Sequence, residues 1–554
     1  RIPFLNGGLI EPMNNYDWQN TDILIDNTVF ESIFTTFDLY NFTVREDEPL
    51  EKEVAVDPEM LGKVFENLLE VTDRKSKGAF YTPREIVHYM CQESLINYLA
   101  TAMGDAVPRD DLATFIRVGE LAVQNDTAKE AGTVTYTYQM PQSIRTHAVK
   151  LDEALANIKI CDPAIGSGAF PVGMMQEIIK AREVLTTYIG EDESRTLYNF
   201  KRQAIQESIY GVDIDPGAID IAKLRLWLSL VVDEDDYHHI KPLPNLDYKI
   251  VCGNSLLSVQ KDLFNLDLFQ KLEKLKTAYF NETKPQKKQK QRTEIDALIT
   301  QLTGDHSQFD MQIYFSEVFY GDSGFDVVIG NPPYLESRSP EFSDDIKDAL
   351  QKAVKERWKK DSKLVTRGAD LLIYFFESGV FNIHPDGQVV LITQNSWLDT
   401  EYGNKFQDFL LKHTYVEAII DSDYKYFDSK DGPNINTVIS IFKGKKPVKR
   451  KITFARFKDR FQNIPSSLFG SDSNTEIKNV EYYRYSYSDD VLSNTKWGTH
   501  LTSPFEFLEL LGALKQRGIS IEDVNRSKLT LGQGLNLTKD YVVRKSDIIQ
   551  LNIS

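Results

Sequence analysis

From about residue 157 the chain repeats one unit: a short apolar run, a turn, then a helix-like stretch. Ile158–Cys161, Ile209–Val212, Ile250–Val251, Phe325–Ile329, Val389–Thr393, Val416–Ile420 and Thr437–Phe442 all read as strands. Strands this apolar need cover on both faces, and the first few alternate with helices. That pattern specifies an α/β fold, a largely parallel seven-stranded sheet flanked by helices. At 554 residues the chain is too long for one ordinary domain.

The remainder divides by pattern. Residues 1–56 read as an N-terminal connector region with no recognisable chemistry. Residues 57–150 read as a helical region. It opens at Asp57-Pro58, an N-cap followed by a first-turn proline, with Met60, Leu61, Val64, Phe65, Leu68 and Leu69 on one face. Thr82-Pro83-Arg84-Glu85 has capping-box spacing, and Ile86, Val87, Met90 and Cys91 begin the next buried face. Residues 151–460 carry the α/β pattern, interrupted at 262–312 by a helical hairpin around a basic loop, Lys284–Arg292. Residues 461–554 read as a Tyr-rich linker into a further domain that is expected to continue beyond Ser554.

Several classes are excluded. Cys91, Cys161 and Cys252 are widely spaced, which rules out a disulfide framework or a cysteine-rich zinc site and fits a reducing cytoplasm. No histidine pattern suggests a metal, and His238-His239 reads as a surface turn. No apolar run approaches the roughly 18 residues needed to span a bilayer. A net charge of −18 argues against non-specific coating of nucleic acid, but leaves room for a local basic groove. Phe442–Arg460, with nine Lys/Arg and one acid, is read either as a solvated strand face or as such a groove.

Three sites carry chemistry. The first is Cys161-Asp162-Pro163-Ala164-Ile165-Gly166-Ser167-Gly168-Ala169-Phe170, a strand, a glycine turn and a helix start. Glycine allows a bound nucleoside close to the backbone. A dinucleotide fingerprint would place a third glycine where Pro171 stands. Asp162 favours a ligand with a positive end, as in S-adenosylmethionine with its ammonium and sulfonium. A Gly-x-Gly alone is equally a tight structural turn. The second site is Tyr210–Pro216, where Asp213 at a strand tip can accept hydrogen bonds from ribose hydroxyls, and Asp215-Pro216 reads as a helix cap.

The third and decisive site is Phe325–Ile329 emptying into Gly330-Asn331-Pro332-Pro333-Tyr334. Two prolines fix the backbone and the Asn carboxamide. An exocyclic amine on a heteroaromatic ring is a poor nucleophile because its lone pair is delocalised. Two acceptors out of the ring plane, the Asn331 oxygen and the Pro332 carbonyl, would draw its hydrogens towards a tetrahedral arrangement. Tyr334 offers a face on which to stack a base.

These motifs resemble the gamma class of amino-methyltransferases, specifically the DNA adenine-N6 enzymes of the type IIG restriction–modification, Eco57I-like family. The resemblance implies a Rossmann-like fold, S-adenosyl-L-methionine as cofactor, and double-stranded DNA with a specific recognition sequence as substrate. Gly78–Pro83 is similar to the family's N-terminal cofactor motif and implicates Phe80, Tyr81 and Thr82. The glycine loop implicates Asp162, Ala164, Gly166 and Gly168; the second strand, Asp213 and Ile214. Asn254 and Ser255 stand where the family often has an acid near the cofactor adenine. Asn331 to Tyr334 match the catalytic motif. Phe427 stands where the family carries an aromatic that stacks the flipped base, although the loop could slide to Tyr424 or Tyr426. Leu531–Asn536 resembles the opening of a target-recognition domain. Under this resemblance the basic stretch 442–460 stands at even odds between DNA contact and strand face.

Three rivals remain on the sequence. Methyltransferases of protein glutamine or RNA guanine share the Asn-Pro-Pro-Tyr motif, but are usually smaller and lack the Gly78–Pro83 segment. A non-catalytic DNA-binding or assembly subunit would show degraded motifs. A nuclease would need a PD…(D/E)xK arrangement, which is not evident here, so any nuclease domain is expected outside this segment.

Overall fold

The computed structural model describes residues 25–38, 82–130, 138–190, 192–231, 244–257, 266–303, 309–321, 324–427, 436–444, 451–461, 479–486, 492 and 496–501. All lie in the first of two units, residues 1–502 and 503–554. The expectations for Asp57–Leu69, for Phe80 and Tyr81, for His238-His239 and for Leu531–Asn536 fall outside the described residues.

Among the described residues nine strands form one sheet: β1 Ile160–Asp162, β2 Ile209–Asp213, β3 Ile250–Cys252, β4 Phe325–Gly330, β5 Ile383–Gln394, β6 Tyr415–Ser422, β7 Thr437–Lys443, β8 Lys451–Phe457 and β9 Val480–Ser486. Their order is β3-β2-β1-β4-β5-β7-β6-β8-β9. The first five run parallel, and β7 is inserted antiparallel between β5 and β6. This is the expected α/β sheet, mixed in direction and with two strands more than the seven expected. β8 pairs parallel with β6, and β9 pairs antiparallel with β8. Both lie in segments that read as basic or Tyr-rich and polar, where flanking lysines and tyrosines mask the strand. Within β8, Ile452, Phe454, Ala455 and Phe457 are buried.

The named helices are α1 Asn27–Asp38, α2 Arg84–Met103, α3 Arg109–Glu130, α4 Ala148–Asn157, α5 Ala169–Ile189, α6 Pro216–Val231, α7 Leu266–Phe280, α8 Pro285–Thr303, α9 Asp344–Trp358, α10 Leu371–Asn382 and α11 Glu401–His413. α2 crosses α5 so closely that a Cβ on Gly173 would stand 2.6 Å from a Val87 methyl. Their buried faces join the sheet residues Ile160, Val327, Ile329, Val390 and Ile420 in the main core. Between β3 and β4, α7 and α8 pack through Leu272, Tyr279, Ile295, Leu298 and Ile299 onto Tyr248. The segment Lys284–Arg292, which reads as a basic loop, is mostly the first half of α8. Proline is favoured in a helix's first turn, and Lys, Gln and Arg are good helix formers, so charge does not break it.

The expected Thr82 capping box is absent. The cap of α2 is Pro83, with no side-chain hydrogen bond, and the Thr82 hydroxyl goes elsewhere, as described below. Among the described residues no helix is long and apolar enough to cross a membrane.

α11 is pressed onto the turn Asn395–Leu398. The amide of Gln407 donates to the carbonyls of Trp397 (3.4 Å) and Leu398 (3.1 Å), and a Cβ on Gly403 would overlap the Trp397 carbonyl. Gly403→Ala must therefore move backbone. Urea titration is expected to give a loss of about 1–3 kcal/mol, the usual cost of overpacking. A neutral result would contradict the close approach.

Candidate active site

The strand order changes direction between β1 and β4. In an open α/β sheet that switch point, at the carboxyl ends of the strands, is where ligands bind. Asp162 ends β1 and is buried, and its Oδ1 accepts from the Ala164 N–H at 3.1 Å. Gly330 ends β4. A Cβ there would stand 2.6 Å from Asp162 Oδ1, so the carboxylate occupies space that any other residue would fill. Burial pushes the Asp162 carboxyl well above its usual range. The Ala164 N–H partly opposes this, and the Asp213 charge adds to it.

The glycine turn lies on the end of β2. Gly166 (φ 52°) and Gly168 (φ 86°) both adopt the left-handed conformation that suits glycine. A side chain on Gly168 would also meet the Ala222 backbone on α6 at 3.2 Å. Ile165 N–H donates to the Val212 carbonyl at 2.9 Å, and buried Arg225 donates to the Ser167 carbonyl at 2.9 Å. Asp213 Oδ2 accepts from the Gly166 N–H (2.9 Å) and Oδ1 from the Asp215 N–H (2.9 Å). A carboxylate has about four acceptor positions, so these two bonds leave capacity for hydroxyl donors. Burial raises the Asp213 carboxyl, against the pull of these N–H groups. Beside it Ile214 is 71% exposed. Asp215 is the helix cap, accepting from Gly217 N–H at 2.8 Å and Ala218 N–H at 3.3 Å.

The exit of β3 is locked from behind. Asn254 Oδ1 accepts from the Leu256 N–H at 3.0 Å. The buried Ser255 hydroxyl donates to the Pro163 carbonyl at 2.7 Å, so it joins this loop to the glycine loop. Ser378 on α10 donates to the Ser255 carbonyl at 3.1 Å. Arg357 on α9 donates to the Leu256 carbonyl and pairs with Glu377 at 2.7 Å. Both side chains of that pair are fully buried, and Trp358 Nε1 also donates to Glu377. Nothing in the sequence marks this support, because Arg357 and Leu256 are 101 residues apart.

Asn331 follows β4 directly. Its Nδ2 donates to the hydroxyl of buried Thr82 at 3.0 Å, which makes the carboxamide oxygen the acceptor end. The structure thus joins the last residues of the Gly78–Pro83 segment to the Asn-Pro-Pro-Tyr loop. Tyr334 and Phe427 are both buried, and their rings meet edge to face, centroids 6.3 Å apart at 75°. Tyr424 and Tyr426 belong to a different cluster. Tyr424 contacts Tyr426 (4.7 Å) and hydrogen-bonds Arg460, while Tyr426 stacks on Phe461 (5.1 Å), which stacks on Tyr89 (4.9 Å). Of the three aromatics, Phe427 is the one in ring contact with Tyr334.

The basic stretch is largely neutralised where it is described. Lys443 pairs with Glu417, Arg456 with Asp423, Lys458 with Glu481 and Arg460 with Glu85. These pairs favour the strand-face reading.

Residues 207–427 match the family described as Eco57I restriction-modification methylase. Those residues are thus similar to an Eco57I-type restriction–modification methylase domain. A putative type II restriction enzyme and methyltransferase of Methanocaldococcus jannaschii is 31% identical over 266 residues, 46% of this chain and 21% of the relative. The Escherichia coli type II restriction enzyme and methyltransferase Eco57I is 23% identical over 338 residues, 56% of this chain and 28% of its own length. An adenine-specific methyltransferase, PglX, of Streptomyces coelicolor is 23% identical over 297 residues, covering 50% and 20%. The chain thus matches a fifth to somewhat over a quarter of these relatives' lengths. The match to the family runs from just before β2 to Phe427, and so includes Asp213, Asn331 and Tyr334.

The buried ion pair behind the β3 exit can be tested by stability. Arg357→Met leaves Glu377 buried without its partner, and a loss of about 3–5 kcal/mol is expected in urea titration. Arg357→Met with Glu377→Leu removes both charges and should recover most of that loss. If the double variant is no better than the single, the pair does not act as a unit.

Proposed function

We propose that this chain is the catalytic part of an S-adenosylmethionine-dependent DNA methyltransferase that modifies the N6 amine of a flipped adenine, within a restriction–modification or phage-defence enzyme. The observation that carries the reading is the meeting of Asp162 with Gly330. It places a buried acid one residue from Asn331, which Thr82 holds by its amide nitrogen. The adenine preference is supported by the adenine-specific relative.

The residues fit the cofactor. The buried carboxyl of Asp162 is ready for a cationic partner, since an ammonium beside it would favour the ionised form. Asp213 retains acceptor positions for ribose hydroxyls, and exposed Ile214 offers an apolar surface for a nucleobase. Gly166 and Gly168 present no side chain of their own to a bound nucleoside. Asn254 stands beside the same strand ends, with its oxygen used by the Leu256 N–H and its amide nitrogen as the donor end. Ser255 acts through Pro163. Bound S-adenosylmethionine supplies an electrophilic methyl group on a sulfonium.

The chain's own part is to prepare the amine. The Asn331 carboxamide oxygen and the Pro332 carbonyl accept the two amine hydrogens, and this rehybridises the nitrogen so that its lone pair is available. Pro332 and Pro333 keep these acceptors in place with little backbone freedom. The base must leave the duplex to reach them, at a cost of a few kcal/mol. Tyr334 and Phe427 form the walls of its pocket. In the present arrangement their rings touch, so a base enters by separating them. Base–aromatic stacking of about 1–3 kcal/mol then offsets much of the unstacking.

Transfer of labelled methyl from S-adenosylmethionine to DNA, followed by nucleoside analysis, tests the reading; N6-methyladenine is the expected product. Asn331→Ala is expected to abolish transfer while cofactor affinity by calorimetry stays within a few-fold. Retained turnover would remove Asn331 from the chemistry, and N4-methylcytosine as product would overturn the adenine assignment alone. Asp213→Ala is expected to raise the cofactor dissociation constant roughly tenfold or more, since hydrogen bonds to charged groups contribute on the order of 1.5–3 kcal/mol. Excess cofactor should restore the rate. An unchanged affinity would leave Asp213 as a support for the glycine turn only.

A further inference from the structure

Beyond Tyr334 the chain lines a polar groove of about 660 Å³. Its walls are Glu336, Ser337 and Arg338 from the loop after β4, Ser396 from the turn after β5, and Thr400, Glu401, Tyr402 and Lys405 at the start of α11. The loops that follow two neighbouring parallel strands thus open it on the same edge of the sheet as Asn331. One residue, Leu335, separates Tyr334 from Glu336, which therefore lie at most about 7 Å apart along the chain. The floor is fixed by Asp370, whose carboxylate accepts from the Ser337 N–H at 2.8 Å and from the Tyr402 hydroxyl. Arg338 and Lys405 are exposed on its walls. Among the described residues neither has an ion-pair partner, unlike Lys443, Arg456, Lys458 and Arg460 of the basic stretch.

A nucleotide whose base lies against Tyr334 remains joined to its neighbours by two phosphodiesters, and these must pass the lip of the pocket. We propose that this groove seats the phosphodiester backbone beside the target nucleotide, with Arg338 and Lys405 as the phosphate contacts. This rests on the DNA methyltransferase reading above. The hydroxyls of Ser337, Ser396 and Thr400 add neutral donors suited to phosphate oxygens. Glu336 and Glu401 share the rim. They keep the groove from being a general anion trap and give the proposal an effect of opposite sign.

The test is the salt dependence of binding of a labelled random-sequence DNA duplex to the full chain. Each phosphate contact adds about 0.9 to the slope of log affinity against log salt. Arg338→Ala and Lys405→Ala are each expected to weaken binding several-fold at low salt and to lower the slope by about 0.9, with the double variant lowering it by about twice that. Glu401→Gln is expected to tighten binding. Lys458→Ala, which removes a cation already paired with Glu481, should leave the slope at the wild-type value. Calorimetry with S-adenosylmethionine should give wild-type affinity for all four single variants, which separates a lost contact from a lost fold. If wild type binds with salt dependence and the Arg338 and Lys405 variants keep its slope, the groove is not a phosphate seat, whatever the fate of the methyltransferase reading. If wild type binds no duplex, the DNA reading falls and takes this inference with it.

Discussion

The Asp162 carboxylate lies where a side chain on Gly330 would be. That single close approach sets the spacing of β1 and β4 at their carboxyl ends, and the rest of the site is measured from it. A larger residue at 330 would push the strands apart or expel the acid. An acid buried in this way is costly unless it is bonded or neutral, and here one backbone N–H offsets part of the cost. The arrangement therefore has an electrostatic demand built into it, which a positive group at the switch point would meet. Asn331 is the next residue along, so the demand for positive charge and the Asn331 carboxamide are held at one fixed separation.

Around this contact the fold uses long-range side-chain bonds where short loops alone would be loose. Thr82 holds Asn331 across 249 residues, Ser255 holds Pro163 across 92, and Arg357 holds Leu256 across 101. Each joins a different pair of elements, and each ends on a loop that borders the switch point. Rigid elements supported in this way keep reacting groups in place more accurately than loops do.

Much of this was legible in the sequence, and the remainder has identifiable reasons for being hidden. Asp162, Asp213 and Asn331 each end an apolar run, so strand periodicity alone put them on one edge of a sheet. Asp215 as a cap followed from the proline beside it. The alternation could not reveal β8 and β9, because Lys451, Arg456, Lys458 and the tyrosines of β9 gave them the composition of a solvated surface. Thr82 had the spacing of a capping box and would satisfy local rules as one. Its tertiary partner outcompeted the local bond, and no pattern within ten residues records that. Arg357 and Glu377 were invisible for the same reason. Charged residues on helices are usually solvated, and their burial is a property of the packed molecule. The resemblance put the aromatic at Phe427, but local sequence left room for a slide to Tyr424 or Tyr426. The two tyrosines are drawn off by Arg460 and Phe461, contacts made through a strand that the pattern did not disclose.

The contact between Tyr334 and Phe427 sets a cost that any occupant must meet. An edge-to-face pair contributes about 0.5–1.5 kcal/mol beyond the area it buries, a factor of roughly two to ten in population. On the proposed reading, a base entering between the rings gives up that contact, so its own stacking on them must exceed it before entry is favourable. The closed pair would then act as a threshold on stacking strength, because a group without a flat π face could not recover what it displaces.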